Sequence, residues 1–170
     1  MDVFENEIGH CDLLEKLRFR FPEIKKMIDI NGIERRLNDE CIREVYSHIC
    51  KMTTDCKYTC IDFNDIATIF QSGENAIVVV AEGSGKNRAE KTATELMKRI
   101  EATGCNMKKI RFLLLHIQFA DTEFQPTRKE SFLIKDTIVP RMGDGDIMMG
   151  FSDDVDGEGD FLRITAIAIY

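Results

Sequence analysis

The chain has 170 residues, enough for one domain with a substantial core, and 44% of them are hydrophobic while 31% are charged. That balance excludes an intrinsically disordered chain, and the net charge of −7 argues against nucleic acid as the main partner. No apolar run approaches the ~20 residues that a membrane span needs, and the N-terminus lacks the pattern of a secretory signal. A cytoplasmic protein with no membrane partner is therefore expected.

Residues 1–37 are predicted to form a short helical N-terminal extension. Pro22 separates two short amphipathic stretches, and Asn31-Gly32 is typical of a helix stop. The apolar stripe of this extension would consist of Leu13, Leu14, Leu17, Phe21, Ile24 and Ile28. The remaining residues, 38–170, are predicted to form a single domain.

Two helices and a buried strand open this domain. Asn38 is predicted to cap a helix that ends near Thr53, because apolar residues follow it at helical spacing. Asp62 precedes a shorter amphipathic helix that runs to about Phe70. Residues 76–82 are a continuous apolar run rich in valine, which is typical of a strand covered on both faces.

A second helix and strand follow a glycine-rich turn. The helix is predicted over 86–102, where Asn87 and Glu90 have the spacing of a capping box. The strand is predicted over 109–119, with apolar side chains on both of its faces.

The last part of the chain completes the predicted sheet. Pro126 suits the first turn of a helix over 126–139. Two strands follow, at about 146–151 and 161–169, and the simplest arrangement pairs them as an antiparallel hairpin. The sequence therefore predicts an α/β domain with one mixed, roughly four-stranded sheet and packed helices.

Five segments together resemble the end of the central helix and the C-terminal domain of FtsZ, the bacterial tubulin-like cell-division GTPase family. The motif Ile61-Asp62-Phe63-Asn64-Asp65-Ile66 lies at the start of the second segment, and the third continues from a valine-rich strand into Gly83-Ser84-Gly85-Lys86-Asn87-Arg88-Ala89-Glu90. In order, the segments are 41–53, 62–70, 76–97, 109–118 and 147–169. The resemblance covers about residues 38–170 and implies the fold of that C-terminal domain.

The resemblance also implies a role for Asp62 and Asp65. In the family, the two aspartates of this loop reach into the nucleotide site of the neighbouring subunit, so here they would act in hydrolysis only in trans. A local interpretation stands beside this one, because Asp62 suits an N-cap and Asp65 suits the third helical position. Cys60 occupies the place where the family has an asparagine.

The nucleotide-binding domain of the family has no counterpart in this sequence, so no cofactor and no enzymatic activity of the isolated chain are expected. The resemblance implies a non-catalytic interaction module that docks on or regulates a tubulin-like GTPase filament. Two alternatives remain open. One is a self-assembling scaffold, and the other is a small-molecule enzyme that works in a cleft of a homo-oligomer.

Other motifs favour structural interpretations. Gly83-Ser84-Gly85-Lys86 lacks the first glycine and the final Ser or Thr of a phosphate-binding loop, which favours a tight strand-to-helix turn. In the acidic stretch 153–160, a calcium-loop frame that starts at Asp154 has acidic residues at its first, third and fifth positions and glycine at its sixth. That frame ends at Thr165 instead of Glu, which favours a solvated turn.

The remaining polar candidates are also assigned structural roles. A metal cluster is not predicted, because the spacing of the candidate ligands matches no zinc pattern; the candidates are His48, Cys50, Cys56 and Cys60. His116 is expected to be a hydrogen-bonded core residue. A solvated basic helix face is expected for Arg88, Lys91, Lys98 and Arg99.

Overall fold

The computed structural model describes residues 22–53, 61–120, 122–153 and 159–170. A six-stranded sheet lies between two helical layers in this part of the chain. In chain order, the elements are β1 (Glu23–Ile28), β2 (Glu34–Arg35), α1 (Asp39–Thr53), α2 (Phe63–Gln71), β3 (Asn75–Gly83), α3 (Arg88–Ala102), β4 (Phe112–Phe119), α4 (Arg128–Ile138), β5 (Asp146–Asp153) and β6 (Leu162–Ile169).

The sheet is mixed, and its strand order is β2-β1-β3-β6-β4-β5. β6 pairs antiparallel with both β3 and β4, whereas β5 runs parallel to β4 and β1 runs parallel to β3. The predicted mixed α/β fold is therefore confirmed, with six strands where about four were expected.

The predicted hairpin between the last two strands is wrong, because β4 lies between β5 and β6. β6 has apolar residues on both faces and is almost entirely buried, so it suits the centre of the sheet. β5 is half-buried and takes the edge. Two strands joined by a short connection need not be neighbours when a more apolar strand competes for the central place.

The prediction of a helical N-terminal extension is also wrong where the structure describes it. Residues 23–28 form β1, which alternates exposed and more buried positions and then ends in the buried Met27 and Ile28. Asn31-Gly32 forms the turn to β2, and Gly32 has a φ of 77° there. Residues 1–21 lie outside the described part of the chain.

The sheet separates two hydrophobic clusters. The main cluster lies between the sheet and the helices α3 and α4, and the second cluster lies between the sheet and the helices α1 and α2. β4 contributes to both clusters, since Leu113 and Leu115 face the main cluster while Leu114 faces the second one. This alternation agrees with the sequence prediction for the strand.

The starts of the helices show which of the predicted N-caps form. Asn38 caps α1, since its Oδ1 accepts a hydrogen bond from the amide of Cys41 at 2.9 Å. Thr127 caps α4 through a full capping box with Glu130, so Pro126 precedes the helix rather than lying in its first turn. The capping box predicted for α3 is absent, because Asn87 has a φ of 67° and forms no side-chain cap. None of the described helices has the length and apolar character needed to cross a membrane.

Candidate functional site

The acidic pair lies at the start of α2, where hydrogen bonds fix the backbone. Asp62 has φ and ψ angles of −65° and 135°, and its Oδ1 accepts a hydrogen bond from the amide of Asn64 at 2.7 Å. Asp62 is therefore the N-cap of α2, as the sequence predicts. The preceding Ile61 is buried, and its amide donates to the carbonyl oxygen of Met52 at 3.2 Å. This bond ties the start of α2 to the end of α1.

Asp65 occupies the third position of α2 and points away from the core. Its side chain is exposed and forms no hydrogen bond or ion pair with the residues that the structure describes. A carboxylate in the first turn is stabilised by the helix dipole without needing a specific partner. Asp62 thus has a local structural role, while the carboxylate of Asp65 is presented to solvent.

The opposite face of α2 anchors the helix to the domain. Ile66, Ile69 and Phe70 are buried in the second cluster. After the helix, a Cβ atom at Gly73 would lie 2.8 Å from Cγ2 of Ile169 and 2.9 Å from the carbonyl oxygen of Tyr170. Only glycine permits this close approach to the end of β6, so the orientation of α2 is set at both of its ends.

The glycine turn between β3 and α3 has a structural role. Gly85 has a φ of 72°, and its amide donates to Oδ2 of Asp160 at 3.0 Å. At Gly83, a Cβ atom would clash with the hydroxyl of Thr92, which donates to the carbonyl oxygen of Arg88. The turn therefore brings α3 close to β3. The amide of Gly85 already donates its hydrogen bond to the carboxylate of Asp160.

Arg88 belongs to a buried network and not to a solvated basic face. Its Nε donates to Oε1 of Glu130 at 2.7 Å, and its Nη1 donates to the carbonyl oxygen of Asp160 at 2.9 Å. Its Nη2 donates to the carbonyl oxygen of Phe124 at 2.7 Å. The hydrogen bond from Arg88 is the main cause that lowers the pKa of Glu130 below its usual value.

Arg99, near the end of α3, also departs from the predicted basic face. Its Nη1 donates to three carbonyl oxygens, at 3.1 Å to Asp29, 2.8 Å to Ile30 and 2.6 Å to Val80. These contacts hold the turn after β1 against β3 and α3. Of the four basic residues predicted for this face, Arg88 and Arg99 therefore form hydrogen bonds within the domain. Nothing in their helical spacing distinguishes them from Lys91 and Lys98.

Two histidines, the buried His116 and the half-buried His48, contact each other where α1 packs on β4 and β5. The Nδ1 atoms of His48 and His116 lie 2.8 Å apart, and Nε2 of His116 lies 2.8 Å from Oγ of Ser152. One Nδ1 must carry the hydrogen that the other accepts. Burial, together with the neighbouring His48 and Lys51, holds the pKa of His116 well below its usual value. The prediction of a hydrogen-bonded core histidine is confirmed.

A cavity of about 230 Å³ opens beside this pair. It is lined by Asp29, Ile30, Arg35, Glu44, His48, Val80, Arg163 and Thr165. Arg35 pairs with Glu44 and Arg163 pairs with Glu82, while the buried hydroxyl of Thr165 has no hydrogen-bond partner among the described residues. Ligand sites are commonly about 300–1,000 Å³, so the volume of this cavity lies below their usual range. The cavity therefore adds little to the alternative of a small-molecule enzyme.

The metal candidates do not come together where the structure describes them. No group of three or more metal-binding side chains occurs among the described residues. His48 faces His116, and Cys50 is buried near the end of α1. Cys56 and Cys60 lie outside the described part of the chain, as do residues 154–158 of the acidic stretch.

The mixed sheet, its strand order and the helices on its two faces define a tubulin- and FtsZ-like fold. Solved FtsZ structures of M. jannaschii share this fold with the chain. A W319Y mutant of that FtsZ matches with a TM-score of 0.65 and 16% identity, over 78% of this chain and 39% of the FtsZ chain. An empty FtsZ dimer matches with a TM-score of 0.63 and 16% identity, over 77% and 38%.

The chain thus spans about two fifths of the length of the FtsZ chains that it matches. At this identity the likeness shows the fold and not the activity. No family model matches the sequence, and no curated protein shows significant sequence similarity to it. The fold predicted from the five segments is confirmed, whereas the roles of Asp62 and Asp65 stay predictions.

Proposed function

We propose that this chain is a non-catalytic interaction module that docks on a tubulin-like GTPase in the cytoplasm and tunes its assembly or GTP turnover. The observation that carries the proposal is the solvent-exposed carboxylate of Asp65 on a helix whose start and end are both fixed. In the family that the sequence resembles, this position meets the nucleotide of the next subunit.

The geometry supports a contact made by Asp65 rather than by Asp62. The Asp62 carboxylate already caps the helix, so a partner that engaged it would compete with the Asn64 amide. Asp65 needs no rearrangement, and its exposed carboxylate can orient a water or approach a cation held by a partner's phosphate. A fixed helix start also keeps the entropic cost of docking small.

We also propose that the chain does not bind or hydrolyse GTP by itself. The glycine turn supports this part, because the Gly85 amide is held by Asp160 and the turn lacks the phosphate-binding signature. Isothermal calorimetry with GTP and Mg²⁺ should show no binding in the micromolar range. A micromolar affinity would overturn this part of the proposal.

The docking itself is tested by a pull-down from the native cytoplasm, followed by GTPase and light-scattering assays of the recovered GTPase. The wild type should alter turnover or assembly, and Asp65→Ala should abolish most of that effect. Glu90→Ala is the matched control, because Glu90 is an exposed acid at the third position of α3. It should behave as the wild type does.

Two results would reject the docking. The first is that no tubulin-like GTPase is recovered and a purified one is unaffected. The second is that Asp65→Ala and Glu90→Ala have equal effects. Size-exclusion chromatography with light scattering distinguishes the docking module from the alternative of a self-assembling scaffold. A scaffold would elute as a large oligomer without any GTPase.

A further inference from the structure

A second cavity lies where β1, β3 and the end of β6 meet the segment that follows α3. Its volume is about 290 Å³, close to the lower limit of the roughly 300–1,000 Å³ that is common for small-molecule sites. We call this cavity the lysine pocket. The lining residues that bear on what it binds are Lys25, Lys26, Ile77, Cys105, Lys109 and Tyr170.

The charged side chains that line the lysine pocket are all positive. Lys25 and Lys26 come from β1, and Lys109 comes from the segment after α3. No Asp or Glu is among the lining residues that the structure describes. The pocket therefore has the opposite sign to the whole chain, whose net charge is −7. A cleft lined by charges of one sign concentrates ions of the other sign.

The acids near the pocket leave its lysines able to bind an anion. Lys25 pairs with Glu23 at 2.5 Å and Lys26 pairs with Glu34 at 3.4 Å. The side chains of these two acids are 71% and 57% exposed, and ion pairs at such exposure contribute little. An ammonium group has three donors, so each lysine can keep its carboxylate while it donates to a ligand. Lys109 forms no ion pair with the residues that the structure describes.

The other walls of the pocket are uncharged at neutral pH. Burial raises the pKa of the Cys105 thiol, and burial is also the main cause that raises the pKa of the Tyr170 phenol. Both groups therefore keep their protons at pH 7 and add no negative charge. The Tyr170 hydroxyl forms no hydrogen bond within the described part of the chain, so it can donate one to a ligand. The buried Ile77 and the ring of Tyr170 add apolar surface.

Structural roles account for these lysines only singly. A cation is stabilised near the C-terminus of a helix, and α3 ends at Ala102 beside the pocket. Lysines also discourage pairing along an exposed strand, which suits Lys25 and Lys26 on β1. Neither role requires that lysines from two separate segments, β1 and the turn at Lys109, meet at one cavity.

The chemistry of the pocket favours a phosphate group over a carboxylate. A phosphate monoester carries a charge of about −1.5 to −2 at pH 7 and has three strong acceptor oxygens. Three ammonium groups and one phenol match that charge and those acceptors better than they match a single carboxylate. Carboxylates are typically held by the planar fork of arginine, and no described lining residue is an arginine. The apolar surface beside the lysines suits an apolar or aromatic body attached to the phosphate.

We propose that the lysine pocket binds a small phosphate monoester whose organic part is apolar or aromatic. The phosphate accepts hydrogen bonds from Lys25, Lys26 and Lys109, and the organic part packs on Ile77 and Tyr170. The affinity is modest, with a Kd of about 0.1–1 mM for a ligand of about ten non-hydrogen atoms. This site is separate from Asp65, so its test and the test of the docking on a GTPase have separate outcomes.

The test uses phenyl phosphate as the probe and follows the backbone amide signals of the full chain by NMR. The signals that shift should belong to β1, to residues 103–109 and to the end of β6, with a Kd of about 0.1–1 mM. Inorganic phosphate should bind about two- to twelvefold more weakly, because it lacks the ring that packs on Tyr170. Benzoate should also bind more weakly than phenyl phosphate, because it carries a single charge and two acceptor oxygens.

Two adjacent exposed lysines provide a matched pair of protein variants. Lys109→Gln should weaken the binding of phenyl phosphate about two- to fivefold, as expected for the loss of one solvent-accessible charge pair. Lys108→Gln makes the same change at a residue that does not line the pocket and should leave the affinity unchanged. Adding Lys25→Gln to Lys109→Gln should weaken binding about four- to twenty-fivefold in total. Both lysines are exposed, so the urea midpoints should confirm that the variants fold.

Several results would overturn the proposal. They are no shift of any signal at about 10 mM phenyl phosphate, shifts located away from the pocket, equal effects of Lys108→Gln and Lys109→Gln, or benzoate that binds as tightly as phenyl phosphate. Equal affinities for phenyl phosphate and inorganic phosphate would overturn the assignment of an organic part. A short phosphotyrosine peptide that binds more than about tenfold tighter than phenyl phosphate would overturn the small ligand, because a phosphorylated protein segment would then be the occupant.

Discussion

Replacement of Arg88 by methionine tests how the end of the domain around the glycine turn is held together. The Arg88 side chain is only 9% exposed and pairs with Glu130 through Nε at 2.7 Å. Its guanidinium also donates to the carbonyl oxygens of Phe124 and Asp160. One side chain therefore connects α3, α4 and the segments that precede α4 and β6. Methionine keeps most of the apolar stem and removes every donor.

The expected loss of stability arises because Arg88→Met leaves the carboxylate of Glu130 without its partner. Removing one partner of a buried ion pair destabilises a protein by about 3–5 kcal/mol, because the other charge stays behind without compensation. Glu130 is 22% exposed, so water solvates part of the abandoned carboxylate and the lower end of that range applies. We expect a decrease of about 3 kcal/mol in the free energy of unfolding. For a chain of this size, that corresponds to a Tm lower by about 6–12 °C.

The assay is urea denaturation of four proteins, which are the wild type, Arg88→Met, Glu130→Gln and the double variant. Glutamine at position 130 has one acceptor oxygen, so it can accept from the amide of Thr127 or from Arg88 but not from both. Arg88 still keeps its two carbonyl acceptors, so Glu130→Gln should lose about 1–3 kcal/mol. The two substitutions should be non-additive by about 0.5–3 kcal/mol, since they disrupt one contact. A loss below about 1 kcal/mol for Arg88→Met, or strict additivity, would refute the reasoning.

The same network predicts an acid-sensitive contribution to stability. The pKa of Glu130 is lowered in the folded state, chiefly by the hydrogen bond from Arg88. A carboxyl group of this kind stabilises the fold above its unfolded pKa, and the stabilisation is lost as the pH falls through the folded pKa. The wild type should therefore lose more stability than Glu130→Gln below about pH 4.5.

Three further predictions address other contacts. The pKa of His116 is lowered by burial, so the unfolded state takes up a proton first and the free energy of unfolding should fall as the pH drops below about 6.5. His116→Gln should flatten this pH dependence in denaturation curves measured from about pH 8 to about pH 5. Asp62→Ala should cost about 0.5–2 kcal/mol and Asp65→Ala about 0.3–1 kcal/mol by urea denaturation, and the reverse order would contradict the capping geometry. Gly150→Ala should cost about 1–3 kcal/mol because its methyl group would overlap Met52, and an unchanged denaturation midpoint would show that α1 moves freely.

Local signals in the sequence determined the elements of the domain that have strong periodicity and simple caps. The valine-rich run became β3, and the alternating apolar positions after Arg111 became β4. Asn38 and Asp62 cap the helices that follow them. These features depend on neighbouring residues only, so they can be read directly from the chain. The order of the five segments was enough to predict the FtsZ-like fold.

The tertiary structure decided what depends on residues far apart in the sequence. β6 lies between β3 and β4, and 23–28 became a strand because β3 offered an edge in parallel orientation. The same holds for Arg88, Arg99 and the histidine pair, which have partners 19 to 72 residues away. Helical spacing can show that a side chain leaves a given face, but it cannot show which distant carbonyl or carboxylate will meet it. Long-range pairing and burial settle these positions, and neither is encoded in any short segment of the chain.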